Sequence, residues 1–438
     1  MLQGRPWYKD PDRLIWILLF LLLAERLLLF FQLGPDYMSH SDDDAYIASG
    51  LFFADTGVIA IDGLPGALTM PGMAVTIGVT SLFVGDGLAL LITLKIIWII
   101  MGVFTAWWGY KTLTLFASGW AGLFAAAHFL LPNMAWMNHV ILTETPYIFF
   151  FSICIYAMFY MRKADEKKGF VLYTAGFLLA LMFRSNIILL PLFTGVYLLI
   201  TKKNPRQTIK YALCFLGVVS LFLVPWTIRN YIQFGDFIPL TYGAGDPLYL
   251  GTYEGVGYPN DEDLDYETNV SDVMKDKYAD YYDETGNVKE SQHKLYLYMM
   301  ERGIKARYRI REWWRSNPTA FLKSYLLIKP RLMLNWVWAW EEVFGVTYQT
   351  LHRISQMNMI FCFFTVILAL FTKKMREPVF LLSLFYITSV YVYATAFVTD
   401  RYASTLMIIR YIIAGFGMQL CRDTFVELKK RQGGRMLG

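Results

Sequence analysis

The sequence predicts an all-α polytopic membrane protein, a bundle of about ten transmembrane helices with further helices along its extracytoplasmic surface. Hydrophobic residues make up 56% of the 438 residues, and charged residues only 17%, below the roughly 25% of soluble domains. Apolar runs close to the ~20 residues that cross a bilayer recur along the chain. Between two of these runs lies a long segment in which basic, tryptophan and apolar residues alternate, as in helices at the headgroup region.

Ten apolar runs are the candidate spans. In chain order they cover residues 14–33, 88–110, 117–132, 144–161, 169–184, 186–201, 209–228, 356–372, 378–396 and 402–420. With this count, the basic stretches at 161–168, 201–206, 372–377 and 429–435 all fall on one side, together with the N-terminus. The positive-inside rule makes that side the cytoplasm. We therefore expect both termini in the cytoplasm and the first run retained as a helix, not cleaved as a signal peptide.

Two extracytoplasmic segments follow from this topology, covering residues 34–87 and 229–355. The first contains three consecutive aspartates and a short apolar, glycine-containing stretch at 69–85, which we interpret as interfacial or re-entrant. The second contains an acidic stretch at 261–286 and the mixed basic and aromatic residues at 305–340. We expect one integral membrane domain over residues 1–438, with the first segment catalytic and the second forming an external cap.

Several function classes are disfavoured by composition. The net charge of +5 is small and follows the topology, so we expect no nucleic-acid partner. The four cysteines form no CxxC pair, and His40 and His139 are too isolated to argue for a zinc site. The acidic stretch resembles a calcium loop, but Tyr266 stands where that loop needs glycine. The sequence identifies no metal ligands, and it neither requires nor excludes a divalent metal as a cofactor.

Ionisable residues near the predicted outer face are functional candidates, because charge placed in a membrane is costly. The acidic candidates are Asp42, Asp43, Asp44, Asp55 and Glu144, and the basic ones are Lys95, Arg184, Arg229, Lys329, Arg331 and Arg401. Cations at one depth that face carboxylates are what a phosphate-bearing substrate beside a general base would require. The simpler alternatives are solvated loop charges, helix-terminal charges and arginines that snorkel to headgroups.

The three aspartates compete for one role. In a helical "DDDAY", Asp42 and Tyr46 share a face at the i, i+4 spacing, while Asp43 and Asp44 point elsewhere. One of the three could instead cap the helix that begins near Ala45. At most one or two of these carboxylates can therefore face a common site.

Four groups of motifs resemble the GT-C glycosyltransferases, in particular bacterial relatives of the dolichyl-phosphate-mannose protein mannosyltransferases (glycosyltransferase family 39) and the lipid A aminoarabinose transferases. They are "DDDAYIASGLFFADTG" (42–57); "ILTETPY" (141–147); "LLALMFRSNIILLPL" (178–192) with "LVPWTIRNYIQFGDFIPLT" (223–241); and "NPTAFLKSYLLIKPRLMLNWVW" (317–338) with "TDRYASTLMIIRYIIA" (399–414). The family usually shows a single acidic residue three or four positions before the tyrosine, whereas this chain has three candidates.

The resemblance implies an inverting transfer of a hexose or pentose from a polyprenyl-phosphate donor to an acceptor hydroxyl on a lipid, a glycan or a protein. It implies a bacterial plasma membrane and an active site on the extracytoplasmic face. An aspartate of the first loop would act as base, with Asp42 or Asp43 favoured over Asp44. The expected substrate-binding residues are Tyr46, Asp55, Lys95, His139, Glu144, Arg184, Arg229, Lys329, Arg401 and Tyr402.

The main alternative is a transporter or flippase of a lipid-linked sugar, which would also gather cations around a phosphate. Transporters commonly show internal repeats and helices broken at the midplane, and neither pattern is evident in this sequence. A third alternative is an assembly protein that uses its acidic loop to bind a partner. The absence of a P-loop or a dinucleotide fingerprint fits both a lipid-linked donor and a transporter.

Overall fold

The computed structural model describes residues 7–201 and 204–435, with side chains described from residue 8 to residue 429. The α-helices in these residues are α1 Pro11–Leu33, α2 Asp43–Thr56, α3 Gly72–Val84, α4 Gly87–Thr114, α5 Gly119–Ala127, α6 Pro132–Trp136, α7 Glu144–Lys163, α8 Glu166–Phe183, α9 Leu190–Thr201, α10 Pro205–Phe234, α11 Gly245–Leu250, α12 Asp272–Lys277, α13 His293–Ser316, α14 Pro318–Lys323, α15 Lys329–Asn335, α16 Tyr348–Thr372, α17 Arg376–Ala394, α18 Asp400–Ser404 and α19 Met407–Arg435. Short 3-10 or π turns extend or join several of them. A two-stranded antiparallel hairpin pairs β1 Ala60–Ile61 with β2 Leu64–Pro65.

Six of the described helices are long and apolar enough to cross a membrane: α1, α4, α7, α10, α16 and α17. They coincide with six of the ten predicted spans, and the protein is an integral membrane protein. The other four predicted spans fall on shorter apolar helices, such as Gly119–Leu130 and Ser185–Thr201, or on α8 and α19, which carry more charge. The total of ten crossings therefore stays a prediction.

The packing of the helices places α7 at the centre of the bundle and α10 at its edge. Of the most hydrophobic stretch of α7, 83% of the residues are buried, whereas the corresponding share for α10 is 17%. α7 packs against α8 and α4, which lie beside it. Glu144 is the first residue of α7, so its carboxylate lies at the end of the most buried of the six helices.

The first external segment contains a helix pair in very close contact. A β-carbon added at Gly78 of α3 would lie 2.7 Å from the carbonyl oxygen of Gly50 on α2, and one added at Gly50 would lie 2.4 Å from the side chain of Ile77. Both positions therefore need glycine, because only glycine lets the two backbones approach this closely. The stretch expected to be interfacial or re-entrant is α3, whose 13 residues rise about 20 Å, less than the bilayer core.

The second external segment has a small hydrophobic core of its own, separate from the core of the membrane helices. It is rich in aromatic side chains, among them Phe234, Tyr242, Tyr278 and Tyr296. α10 continues to Phe234, so this helix extends into the segment predicted to begin at residue 229. Arg229 is consequently a residue of the helix and not of the loop.

Candidate functional site

Arg401 of α18 joins two carboxylates that come from distant parts of the chain. Its Nε donates to Oε1 of Glu144 at 3.0 Å, and its Nη1 donates to Oδ2 of Asp42 at 2.8 Å. The Nη1 of Arg184 donates to the same oxygen of Glu144 at 2.7 Å. Cations and anions thus alternate in the order Arg184, Glu144, Arg401, Asp42, and we call these four residues the charge cluster.

The members of the charge cluster differ in exposure. The side chain of Glu144 is fully buried, those of Arg184 and Arg401 are each 13% exposed, and that of Asp42 is 53% exposed. Asp42 occupies the N-cap position of α2, but its carboxylate makes no capping hydrogen bond. The expectation that an aspartate caps this helix therefore does not hold for Asp42, whose carboxylate binds Arg401 instead. Within the cluster, Asp42 is the carboxylate that a substrate can reach.

Aromatic rings surround the charge cluster. The guanidinium of Arg184 lies 5.0 Å from the ring centre of Tyr402, and that of Arg401 lies 5.7 Å from the ring centre of Trp338. Cations held over aromatic faces at such distances gain about 0.5–2 kcal/mol. Tyr46 belongs to the same region, because burial first, and then the charges of Asp42 and Glu144, raise its pKa. Its phenol is accordingly neutral at physiological pH.

The charge on Arg401 is secured by its partners. Burial opposes this charge, but the carboxylates of Glu144 and Asp42 outweigh the effect and raise the pKa of Arg401 above its ordinary value. A guanidinium with two such partners offers the forked donor geometry that also fits a phosphate. In the charge cluster, a phosphate oxygen could therefore replace one carboxylate as the acceptor of Arg401, while both arginines stay charged and in place.

The other two aspartates face away from Arg401. Asp43 is fully buried and accepts hydrogen bonds from Ser39 N at 2.6 Å, Ser39 Oγ at 2.9 Å and Ser41 N at 2.9 Å. These bonds close the turn that precedes α2. The carboxylate of Asp44 is 62% exposed and lies 3.5 Å from Nδ1 of His40. Of the three expected bases, the structure brings only Asp42 to the arginines.

Lys95 and Arg229, both expected to bind substrate, instead hold loops of the first external segment. The ammonium of Lys95 donates to three backbone carbonyls in the turn at 34–37, the shortest at 2.5 Å. The guanidinium of Arg229 donates to the carbonyl oxygens of Ile59 and Gly66, each at 2.8 Å. Neither contacts a member of the charge cluster, so their direct role in substrate binding stays an untested prediction.

Lys329 is also fully buried and lies apart from the cluster, although it is linked to the segment before Arg401. Its Nζ donates to Gly251 O at 2.9 Å and lies 3.6 Å from Oε2 of Glu254. The same oxygen of Glu254 accepts from Val398 N at 2.9 Å. Burial lowers the pKa of Lys329 to about 8, against the opposing effect of Glu254.

The remaining candidates do not meet the cluster either. His139 is buried, and both its ring nitrogens lie 2.9 Å from backbone carbonyl oxygens, those of Ala135 and Arg26. Burial lowers the pKa of His139 to about 4. Asp55 is exposed near the far end of α2. Within residues 7–201 and 204–435, no three side chains of His, Cys, Asp or Glu lie close enough together to hold a metal ion.

Some residues beside the charge cluster escaped the sequence reasoning. Asn186 donates through Nδ2 to the phenol of Tyr393, whose ring stacks on Tyr402 at 5.2 Å. Asp400 accepts from Nε1 of Trp340 at 3.2 Å. Asn186 and Asp400 could have been found from their positions in the sequence. Asn186 lies two residues after Arg184, and Asp400 directly precedes Arg401.

No protein-family model matches the chain, and no curated protein sequence does either. The archaeal oligosaccharyltransferase AglB from Archaeoglobus fulgidus, solved with an inhibitory peptide and a dolichol phosphate, is similar in structure. It aligns over 98% of this chain with a TM-score of 0.53 and 11% sequence identity. The chain has a GT-C fold. The predicted GT-C-like helical bundle is thus confirmed, and the chain spans about half of the archaeal protein, 52% of its length.

A second structure, ArnT from Cupriavidus metallidurans bound to undecaprenyl phosphate, aligns less closely. The alignment covers 93% of this chain and 77% of that protein, with a TM-score of 0.43 and 13% sequence identity. In this chain, the residues of the charge cluster come from the N-cap of α2, from α7 and α18, and from the turn between α8 and α9.

Proposed function

We propose that the protein is an inverting membrane glycosyltransferase that moves a hexose or pentose from a polyprenyl phosphate to an acceptor hydroxyl on the extracytoplasmic face. The observation that carries this proposal is the contact of Arg401 with both Asp42 and Glu144. An exposed carboxylate beside a buried cation supplies a base and a phosphate-binding group within a single site. The GT-C fold supports it, since the archaeal structure of that fold holds a dolichol phosphate.

Asp42 is the proposed base. Its carboxylate takes the proton of the acceptor hydroxyl as that oxygen attacks the anomeric carbon from the side opposite the phosphate. A new bond between carbon and the acceptor oxygen forms, while the bond between carbon and the phosphate oxygen breaks. The electron pair of the broken bond leaves with the lipid phosphate, whose added negative charge Arg401 and Arg184 stabilise.

Glu144 acts through the arginines in this proposal. It is inaccessible and binds both guanidinium groups, so it holds them at the distance that a phosphate needs and keeps them charged. An arriving lipid phosphate competes with Asp42 for Nη1 of Arg401. Donor binding thereby releases the carboxylate of Asp42 from its ion pair and makes it available to the acceptor. The bond to the buried Glu144 persists, so Arg401 stays in place.

The experiment that tests the proposal is turnover in detergent. Purified protein is incubated with a synthetic polyprenyl-phosphate hexose or pentose and candidate acceptors, and release of free polyprenyl phosphate is measured. A glycosyltransferase consumes the donor in micelles, where no gradient exists. A protein that only flips the lipid leaves the donor intact in detergent and moves it between the leaflets of a reconstituted vesicle, and that pair of results would reject the proposal.

A further inference from the structure

Two buried cations hold residues 251–254, the short stretch that follows α11 in the second external segment. Arg309 of α13 is fully buried and donates through Nε to Oγ1 of Thr252 at 2.7 Å. Lys329 of α15 is also fully buried and donates to the carbonyl oxygen of Gly251 at 2.9 Å. Two helices of the external segment therefore fix this stretch, which we call the cap segment.

The cap segment contacts the backbone that leads into α18. A β-carbon added at Gly251 would lie 2.5 Å from the carbonyl carbon and oxygen of Ala396, so glycine is needed for the two backbones to approach this closely. Oε2 of Glu254 accepts a hydrogen bond from Val398 N at 2.9 Å. Val398 lies three residues before Arg401. The cap segment thus contacts the chain at two points just ahead of the charge cluster.

The hydrogen bond from Val398 to Glu254 lies inside the protein. Val398 is fully buried, and the carboxylate of Glu254 is only 14% exposed. Nζ of Lys329 lies 3.6 Å from the oxygen that accepts this bond, so the buried negative charge has a positive partner. A backbone N–H that donates to an ionised carboxylate forms a stronger bond than one that donates to a neutral acceptor. Losing it would leave a buried N–H unpaired.

The backbone around Arg401 has little regular structure of its own to hold it. Residues 397–399 have no regular secondary structure, and α18 spans only five residues. So short a helix is not stable by itself and depends on contacts with its surroundings. Glu144 holds the guanidinium of Arg401, and Glu254 holds the backbone that precedes it. The two contacts together fix both ends of this arginine.

We propose that Glu254 is a positioning residue for Arg401, which it holds in place for a lipid phosphate through the backbone at 396–398, with Lys329 as its charged partner. This inference rests on the proposed function, in which Arg401 binds that phosphate. Lys329, expected from the sequence to bind substrate, acts through Glu254 and Arg401. The second external segment contributes to donor binding by the same route.

Two double variants separate the hydrogen bond from the charges. Glu254→Gln with Lys329→Met removes both charges but keeps a side-chain oxygen that can accept from Val398 N. Glu254→Met with Lys329→Met removes that oxygen as well. Neither leaves a buried lysine without its carboxylate, a change that could itself prevent folding. Glu284→Gln, at an exposed glutamate of the same external segment, is the matched control for the wild type.

Hydrogen exchange of the full chain in detergent is the first measurement, and it needs no substrate. Residues 397–401 should exchange roughly tenfold faster in the double variant that lacks the acceptor than in the one that keeps it. The amides of α7 should exchange equally in both, which separates a local loosening from a general loss of stability. Equal exchange at 397–401 in the two double variants would overturn the proposal.

Affinity for a synthetic polyprenyl phosphate, measured in detergent, is the second readout. Loss of the acceptor should raise the Kd about tenfold relative to the double variant that keeps it. This loss should disappear when Arg401→Gln is added to both, because the effect passes through Arg401. No loss, or an equal loss without Arg401, would overturn the proposal. A wild type that binds no polyprenyl phosphate would reject the proposed function instead, and hydrogen exchange would then decide the positioning alone.

Discussion

Nη1 of Arg401 lies 2.8 Å from Oδ2 of Asp42, although 359 positions of sequence separate the two residues. The contact joins the first turn of α2 to the short helix that precedes α19. Because Glu144 holds Arg401 from its buried side, the position of the guanidinium is set by the bundle core and not by the external loop. In the proposed mechanism, Asp42 is therefore presented to the acceptor beside a fixed partner.

Asp42→Asn should lower the rate of sugar transfer about 10²–10⁴-fold, the range that a positioned general base contributes. The amide retains the size of the side chain but cannot take a proton. Initial rates of polyprenyl-phosphate release, normalised to folded protein, measure the effect.

Asp44→Asn is the matched control for that variant, since the carboxylate of Asp44 is exposed and pairs with His40 instead of Arg401. It should leave the rate near that of the wild type. Asp43→Asn should lower the thermal midpoint, because it disturbs a buried acceptor of three hydrogen bonds. If Asp43→Asn were thermally intact but inactive while Asp42→Asn stayed active, Asp43 would be the base.

Glu144→Gln should destabilise the folded protein by about 3–5 kcal/mol, because it leaves two mostly buried arginines with one carboxylate less. The measurement is thermal unfolding in detergent, compared with the wild type. The double variant Glu144→Gln with Arg184→Gln also removes one of the uncompensated cations. It should therefore be more stable than Glu144→Gln alone. Additive losses in the double variant would mean that the Arg184–Glu144 pair contributes nothing to stability.

Arg401→Lys should reduce the transfer rate about 10²–10³-fold, the cost of removing one preorganised donor from a developing negative charge. A single ammonium cannot contact Glu144 and a phosphate with the forked geometry of a guanidinium. Arg229→Lys is the control, since Arg229 binds only neutral groups, among them the carbonyls of Ile59 and Gly66. It should affect thermal stability and leave the rate per folded molecule unchanged; equal losses of rate in both variants would argue against a phosphate role for Arg401.

The buried Lys329 predicts a dependence of stability on alkaline pH. Its folded pKa of about 8 lies below the unfolded value near 10.4, so between these values the unfolded chain binds more protons than the folded one. The contribution of this lysine to stability therefore rises with pH through that window, with a slope of at most about 1.4 kcal/mol per pH unit.

This contribution is measured by comparing the thermal midpoints of the wild type and of Lys329→Met at pH values between about 8 and 10. The wild type should gain on the variant as the pH increases, even if both lose stability overall. A constant difference between the two proteins across that range would show that Lys329 titrates normally in the folded state.

Local spacing predicted that Asp42 would share a side of the helix with Tyr46 and that Asp43 and Asp44 would not. That argument needs only the helical repeat. In the structure, the carboxylate of Asp42 binds Arg401, while those of Asp43 and Asp44 have other partners. The proposed catalytic role of Asp42 is a separate question that the substitutions above address.

Hydropathy was less informative about which basic residues come together in the charge cluster. It predicts the depth of Lys95, Arg229 and Lys329 in the membrane, but depth alone does not say on which side of the bundle a residue lies. Long basic side chains also find partners in backbone carbonyls, which carry no sequence signal. The side of the bundle on which a residue lies and its carbonyl partners both follow from helix packing. The sequence alone therefore could not distinguish these three residues from Arg184 and Arg401, which belong to the charge cluster.

The number of spans was difficult to predict for a related reason. Averaging over an apolar run does not detect a short interruption inside it, such as the change from α5 to a 3-10 turn at His128–Leu130. The long uninterrupted helices, α1 and α4 among them, were predictable because length and hydropathy agree over more than 20 residues.

The close contact of Gly50 with Gly78 has a consequence for the speed of the chemistry. With no space between α2 and α3, the helix that follows Asp42 cannot slide or turn without separating two backbones. The carboxylate is therefore ordered before any substrate arrives, and donor binding need not supply the entropy of ordering it. A methyl group at either glycine should displace the proposed base from its place beside Arg401, slowing proton transfer while leaving every charged residue in the chain.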